Sequence, residues 1–160
     1  MTNFFRLNRQ MRAYALVGYF LQTWSFMEGA LNSVIGTALS LKITTEAILC
    51  QNIQFRDKIH ILRTLISISP LPAVEKKRID RILNKLAKYS KYRNVIAHNP
   101  FGPSQVNDGV QFNVIRARGS LQLPEHDWSV AQFEEHYQTM VDFSNELEAL
   151  EEKLRLSMRR

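Results

Sequence analysis

Residues 13–41 read AYALVGYFLQTWSFMEGALNSVIGTALSL and carry a single charged side chain, Glu28. Within them Leu16, Val17, Phe20, Trp24, Met27, Leu31, Val34, Ile35 and Ala38 recur at the three-and-four spacing of one helix face. The spacing predicts one helix over about residues 8–40. Its other face offers Gly18, Gly29 and Gly36 with Ser25 and Ser33, small enough to let another backbone approach. A helix so poor in charge on both faces is expected to be buried on both. That makes it the central helix, whose glycine-bearing back meets a partner helix or a second subunit. The longest unbroken apolar run, residues 13–21, is too short for a membrane span, and Gln22, Glu28 and Asn32 follow it.

A chain of 160 residues fits one domain with one real core, so residues 1–160 are expected to form a single helical domain. Hydrophobic residues make up 45% and charged residues 22%, a balance that argues against disorder. Cys50 is the one cysteine. It excludes an internal disulfide and any CxxC metal site, and it favours a reducing, cytoplasmic setting. The N-terminus carries arginines without a small-residue cleavage pattern, so no secretory signal is expected.

Beyond the first helix, Thr44 and Thr45 before Glu46 look like a helix start, with an ambiguous continuation to residue 52. Phe55, Ile59, Leu62, Leu65 and Ile66 mark a second helix that the SPLP turn at 69–72 ends. A third runs over about residues 73–98, because Pro100 drives Asn99 out of helical geometry. Residues 99–109 are rich in Pro, Gly, Asn and Asp and are expected to be a loop. Val110, Phe112 and Val114 alternate, as do Leu121 and Leu123 after an Arg118-Gly119 turn, which predicts a small β-hairpin. Ser129 and Gln132 form a capping-box signature for a last helix with Phe133, Tyr137, Met140, Ser144 and Leu147 on one face. The expected fold is therefore all-α, an antiparallel four-helix bundle with a small β-hairpin inserted before the last helix.

The formal net charge of +6 is unevenly spread. Lys76, Lys77, Arg78, Arg81, Lys85, Lys88, Lys91 and Arg93 stand against Asp80 alone, whereas Glu134, Glu135, Asp142, Glu146, Glu148, Glu151 and Glu152 make the C-terminal segment acidic. The basic segment suits a polyanion such as RNA. Alternatively the two segments are solvated faces or balance each other within the molecule.

The third helix ends in KYRNVIAHNPF, residues 91–101. Its apolar stripe is Ile79, Ile82, Leu83, Leu86 and Ala97, and Arg93 lies roughly 30° from the centre of that stripe on an ideal helix. An arginine aimed at a core needs a carboxylate, a phosphate or a wet cleft. Asn94 and His98, four apart, share a flank, while Arg93 and His98 can converge only across the helix end. A structural role is open to all three: Arg93 in a buried ion pair with Glu28, His98 as a C-terminal cation, Asn94 in an interhelical hydrogen bond.

The run Arg93-Asn94-Val95-Ile96-Ala97-His98 resembles the Arg-x4-6-His motif of HEPN-domain proteins, and its place at the end of the third long helix matches their layout. The resemblance implies a metal-independent endoribonuclease that needs no cofactor and acts as a homodimer with both motifs facing one cleft. Many such proteins serve as toxins or in phage defence, which implies a possible antitoxin or regulatory partner and no membrane. RNA carries its own nucleophile, the 2′-hydroxyl, so the protein need supply only a proton acceptor and donor (His98) and a cation on the phosphate (Arg93). Asn94 would orient His98 or hold a phosphate oxygen. Arg78, Arg81, Lys85 and Lys88, with Tyr89 and Tyr92 nearby, would then form a backbone track with stacking surfaces.

Two other functions stay open: a non-catalytic HEPN-like module binding RNA, a nucleotide or a partner protein, and a structural bundle held together by its polar motif. Elsewhere His60 is expected on a helix surface, His126-Asp127 in a loop capping a helix, and Trp24, Trp128, Phe20 and Phe133 in the core. Glu134-Glu135-His136 lacks the spacing of a zinc helix, and Cys50 has no basic neighbour to activate it.

Overall fold

In a computed structural model, which describes residues 7–117, 121–122 and 125–157, the protein is mostly helical with a small antiparallel sheet. The helices are α1 (Arg9–Ala38), α2 (Ile43–Gln51), α3 (Phe55–Ile68), α4 (Ala73–His98) and α5 (Val130–Ser157). The strands are β1 (Phe101–Pro103), β2 (Val110–Asn113), β3 (Arg116–Ala117), β4 (Leu121–Gln122) and β5 (Glu125–Trp128). The chain divides into two compact units, residues 1–24 with 90–140 and residues 25–89 with 141–160. The helices α1, α4 and α5 contribute one part to each.

The first unit contains the sheet. The strands β1, β2 and β5 lie in that spatial order, antiparallel, with Phe101 opposite Phe112 and Val110 opposite Trp128. The expected hairpin is present in part: β2 pairs antiparallel with β5 and β3 with β4 in one register, and β1 adds an unexpected edge strand. The alternation of β2 is real, since Val110 and Phe112 are buried and Asn113 is exposed, but its neighbours are β1 and β5. Phe-Gly-Pro reads as a loop, yet β1 is an edge strand, where a proline without an N–H is tolerated. His126 and Asp127 lie in β5, not in a capping loop. The residues after 114 pair only as β3 with β4, and Leu123 and the Arg118-Gly119 turn lie outside the described residues. Leu16, Phe20, Ile96, Phe112, Trp128 and Phe133 are among the buried side chains of this unit.

Two side-chain networks fix the connection from β1 to β2. Buried Ser104 accepts the Val106 and Asn107 N–H groups on its Oγ at 3.1 and 3.0 Å, and Asn107 Oδ1 accepts the Gly109 N–H at 2.8 Å. Arg9 donates to the carbonyl of Ser104, and Arg12 to that of Asp108 at 3.2 Å. The last helix starts as its sequence requires. Ser129 N–H donates to Gln132 Oε1 at 2.8 Å and Gln132 N–H to Ser129 Oγ at 3.3 Å, a reciprocal capping box.

The second unit is helical. Its core includes Met27, Leu31 and Ile35 of α1, Ile59 and Leu62 of α3, Leu83 and Leu86 of α4, and Leu147 and Leu154 of α5. The first helix closes with Ser40 at φ 53°, the Leu41 N–H bonded to Gly36 O and the Ser40 N–H to Thr37 O. These are the paired bonds of a Schellman turn, here with serine where glycine is usual.

Double burial of α1 is not observed among the described residues. Gly18 and Gly29 are exposed, and a Cβ at either would meet nothing within 4 Å. Tyr14 and Phe26 are exposed as well. Of the three glycines on that face only Gly36 is closely approached, by the side chain of Glu46. Low charge thus does not mean full burial, since Gly18 and Gly29 stay exposed.

Candidate functional site

The last turns of α4 belong to the first unit and end where the sequence says they must. Asn99 Nδ2 donates to Val95 O at 2.7 Å, satisfying a terminal carbonyl, and Pro100 then starts the path into β1. In these turns Ile96 is the buried residue and Ala97 is exposed. Of the expected stripe Ile79, Leu83 and Leu86 are buried, while at its end Ile96 is buried in place of Ala97. Arg93 is half-exposed, and Asn94 and His98 are exposed.

The three motif residues come together. Arg93 Nη1 lies 3.1 Å from His98 Nε2 and 3.5 Å from Asn94 Oδ1. A guanidinium only donates, so the closer contact requires Nε2 to carry a lone pair and the imidazole proton to sit on Nδ1. Among the described residues no carboxylate lies within ion-pair distance of Arg93. Glu28, the expected partner, forms an ion pair with Lys58 in the second unit at 2.5 Å. The cluster thus sets a solvent-accessible cation beside an imidazole and an amide. Such a set can bind one phosphoryl oxygen and exchange one proton.

The proposed backbone track is not uniform. Arg78 is neutralised by Glu146 at 2.5 Å and Glu75 at 3.7 Å, so the acidic C-terminal helix does balance part of the basic one within the second unit. Arg81, Lys85 and Lys88 are exposed and have no ion-pair partner among the described residues. Tyr89 meets Phe143 edge-on at 5.6 Å. Tyr92 packs 4.5 Å from the His136 ring and 5.7 Å from Trp128, with Lys91 Nζ 4.7 Å from its own centroid. These contacts leave it half-buried.

His136 escaped the sequence analysis because it was weighed only as a zinc ligand. Its position between Phe133 and Met140 on α5 was the available signal. Its ring sits 4.7 Å from Trp128 and 6.0 Å from Phe20 as well as against Tyr92, and burial there pushes its pKa down to about 4. Cys50 is buried and its thiol is pushed up by desolvation, the opposite of nucleophilic activation. His60 is exposed on α3, and Trp24, Trp128, Phe20 and Phe133 are buried, as expected. Among the described residues no group of three or more His, Cys, Asp or Glu side chains is placed to hold a metal ion, and no helix is long and apolar enough to cross a membrane. Compared with family models, with curated proteins and with solved structures, the chain matches none.

Proposed function

We propose that the chain is a metal-independent endoribonuclease of the HEPN kind, cutting RNA by attack of the 2′-hydroxyl on the adjacent phosphodiester. The observation that carries this reading is the 3.1 Å approach of Arg93 to His98 Nε2 at an exposed helix end, with no carboxylate among the described residues paired to the guanidinium. A phosphodiester offers Arg93 a stronger acceptor than a neutral imidazole does. As the guanidinium turns to the phosphate, the Nε2 lone pair is released. It then takes the 2′-hydroxyl proton as the O2′–P bond forms and the P–O5′ bond breaks. The leaving 5′-oxygen takes a proton from a second acid, which a homodimer supplies as the other copy's imidazolium. The products are a 2′,3′-cyclic phosphate and a 5′-hydroxyl, and DNA, lacking the nucleophile, resists.

The fold accompanying this function is an antiparallel four-helix bundle formed by α1, α3, α4 and α5. Homodimerisation draws support from α1, whose uncovered face carries Gly18 and Gly29 and almost no charge. A cytoplasmic toxin or phage-defence role, held in check by an antitoxin or regulatory protein, is the setting in which such an enzyme would act. RNA contacts would run over Lys85 and Lys88.

The test is cleavage of 5′-labelled linear RNA in EDTA. His98→Ala and Arg93→Ala should each lose about 10²–10³-fold in rate, while thermal unfolding of Arg93→Ala stays close to wild type because no buried carboxylate is orphaned. Equal cleavage by all three proteins would refute the assignment. RNA binding without cleavage in any of them would instead identify a non-catalytic module.

A further inference from the structure

Within the second unit, α3 and α4 enclose a cleft of about 570 Å³ that shares no residue with the Arg93–His98 cluster. Its floor is apolar, made by the buried side chains of Ile66, Ile79 and Leu83. Its rim is cationic: Arg63, Lys76, Lys77 and Arg81 face one carboxylate, Asp80, which leaves three positive charges uncompensated.

That carboxylate is already committed. Asp80 Oδ1 accepts from Arg63 Nε at 2.7 Å and Oδ2 from Asn84 Nδ2 at 3.0 Å, while Arg63 Nη2 donates to Asn84 Oδ1 at 2.9 Å. The ring of bonds holds the Arg63 fork in place. Lys76 Nζ is anchored on the Ser67 carbonyl at 2.8 Å. Lys77 and Arg81 have no carboxylate partner among the described residues, and Arg81 Nε reaches only the Lys77 carbonyl at 3.4 Å. Elsewhere in the same unit the acids do meet cations: Glu75 and Glu146 take Arg78, and Glu75 takes Lys153. Like charges gathered over an apolar floor are costly unless an anion arrives.

We propose that this cleft binds a compact organic polyphosphate, two or more phosphoryl groups carried on a planar or apolar body. The phosphoryl oxygens meet Lys77, Arg81 and Lys76, and the body lies on Ile79 and Leu83. The volume falls within the range of small-molecule sites, far more than a lone phosphate fills. Charge complementarity selects the anion, and the floor selects something attached to it.

Isothermal titration calorimetry at low salt with ATP, inorganic pyrophosphate and adenosine tests the assignment on the full chain. ATP should bind more tightly than pyrophosphate, and adenosine weakest of the three. Lys77→Glu/Arg81→Glu should weaken ATP at least 10-fold. Lys42→Glu/Arg56→Glu makes the same charge change at exposed positions outside the cleft and should stay within about 3-fold of wild type. His98→Ala should bind ATP as wild type does, so loss of the nuclease assignment leaves this one standing. Absence of saturable ATP binding, equal loss in both double variants, or a preference for oligomeric RNA over ATP abolished by Lys77→Glu/Arg81→Glu would each overturn it. Pyrophosphate binding as tightly as ATP would remove the organic body from the proposal.

Discussion

Acidification should destabilise the protein through one histidine. The His136 ring sits 4.5 Å from Tyr92, 4.7 Å from Trp128 and 6.0 Å from Phe20, and burial lowers its pKa from 6.5 to about 4. The folded state therefore favours the neutral ring, whereas the unfolded chain takes up a proton near pH 6.5. Its contribution is fully present above that value and is lost as pH falls from about 6.5 toward 4. A shift of roughly 2.5 units corresponds to a ceiling of about 3.4 kcal/mol. Because His136 is only half-buried, water screens part of this, and about 1–2 kcal/mol is the expected loss by pH 4.5. Urea unfolding at pH 7.5, 5.5 and 4.5, for wild type and His136→Phe, isolates the effect. The other histidines, His60, His98 and His126, are common to both proteins and cancel in the difference. The wild type should lose about 1–2 kcal/mol more than the variant across this range. Parallel losses in the two proteins would show that the ring titrates freely, and the aromatic cage would then have no electrostatic consequence.

Lys58→Ala should cost about 1–3 kcal/mol, because it removes a nearly fully buried ammonium that lies 2.5 Å from Glu28. Thermal unfolding reads this loss, and Lys58→Met with Glu28→Leu should recover most of it, since apolar groups then fill the site of the ion pair. Gly109→Ala drives a Cβ into the Trp128 carbonyl oxygen, a clash with backbone that cannot rotate away. A loss of about 1–3 kcal/mol in chemical unfolding is expected, and an unchanged midpoint would mean that β2 and β5 do not meet at this register.

Local chemistry was legible in the sequence wherever a residue type dictates backbone geometry. The bounds of α4 follow from the SPLP turn and from Pro100, and the start of α5 from Ser129 and Gln132. The polar strand β5 was not legible, because Glu-His-Asp-Trp has no alternation and is held by backbone pairing to β2. Long-range pairings were equally hidden. Lys58 sits in a run that reads as helix surface, and nothing nearby in sequence announces Glu28, thirty residues earlier. The meeting of Arg93, Asn94 and His98 was readable from helical spacing and the early stop. The burial of Ile96 in place of Ala97 was not, since either residue fits an apolar helix position.

The position of this cluster on its helix constrains how it can act. A helix C-terminus presents carbonyl oxygens and the negative end of the dipole, which repels a resting phosphate. Attraction must therefore come from a side chain, and Arg93 is the cation in contact with His98. The same helix end is compatible with an imidazolium. Yet an imidazolium cannot keep a guanidinium 3.1 Å from its Nε2, where two donors and two positive charges would meet. Under the nuclease proposal, a phosphate that draws Arg93 away would free the Nε2 lone pair, and an empty site would keep it capped by the guanidinium.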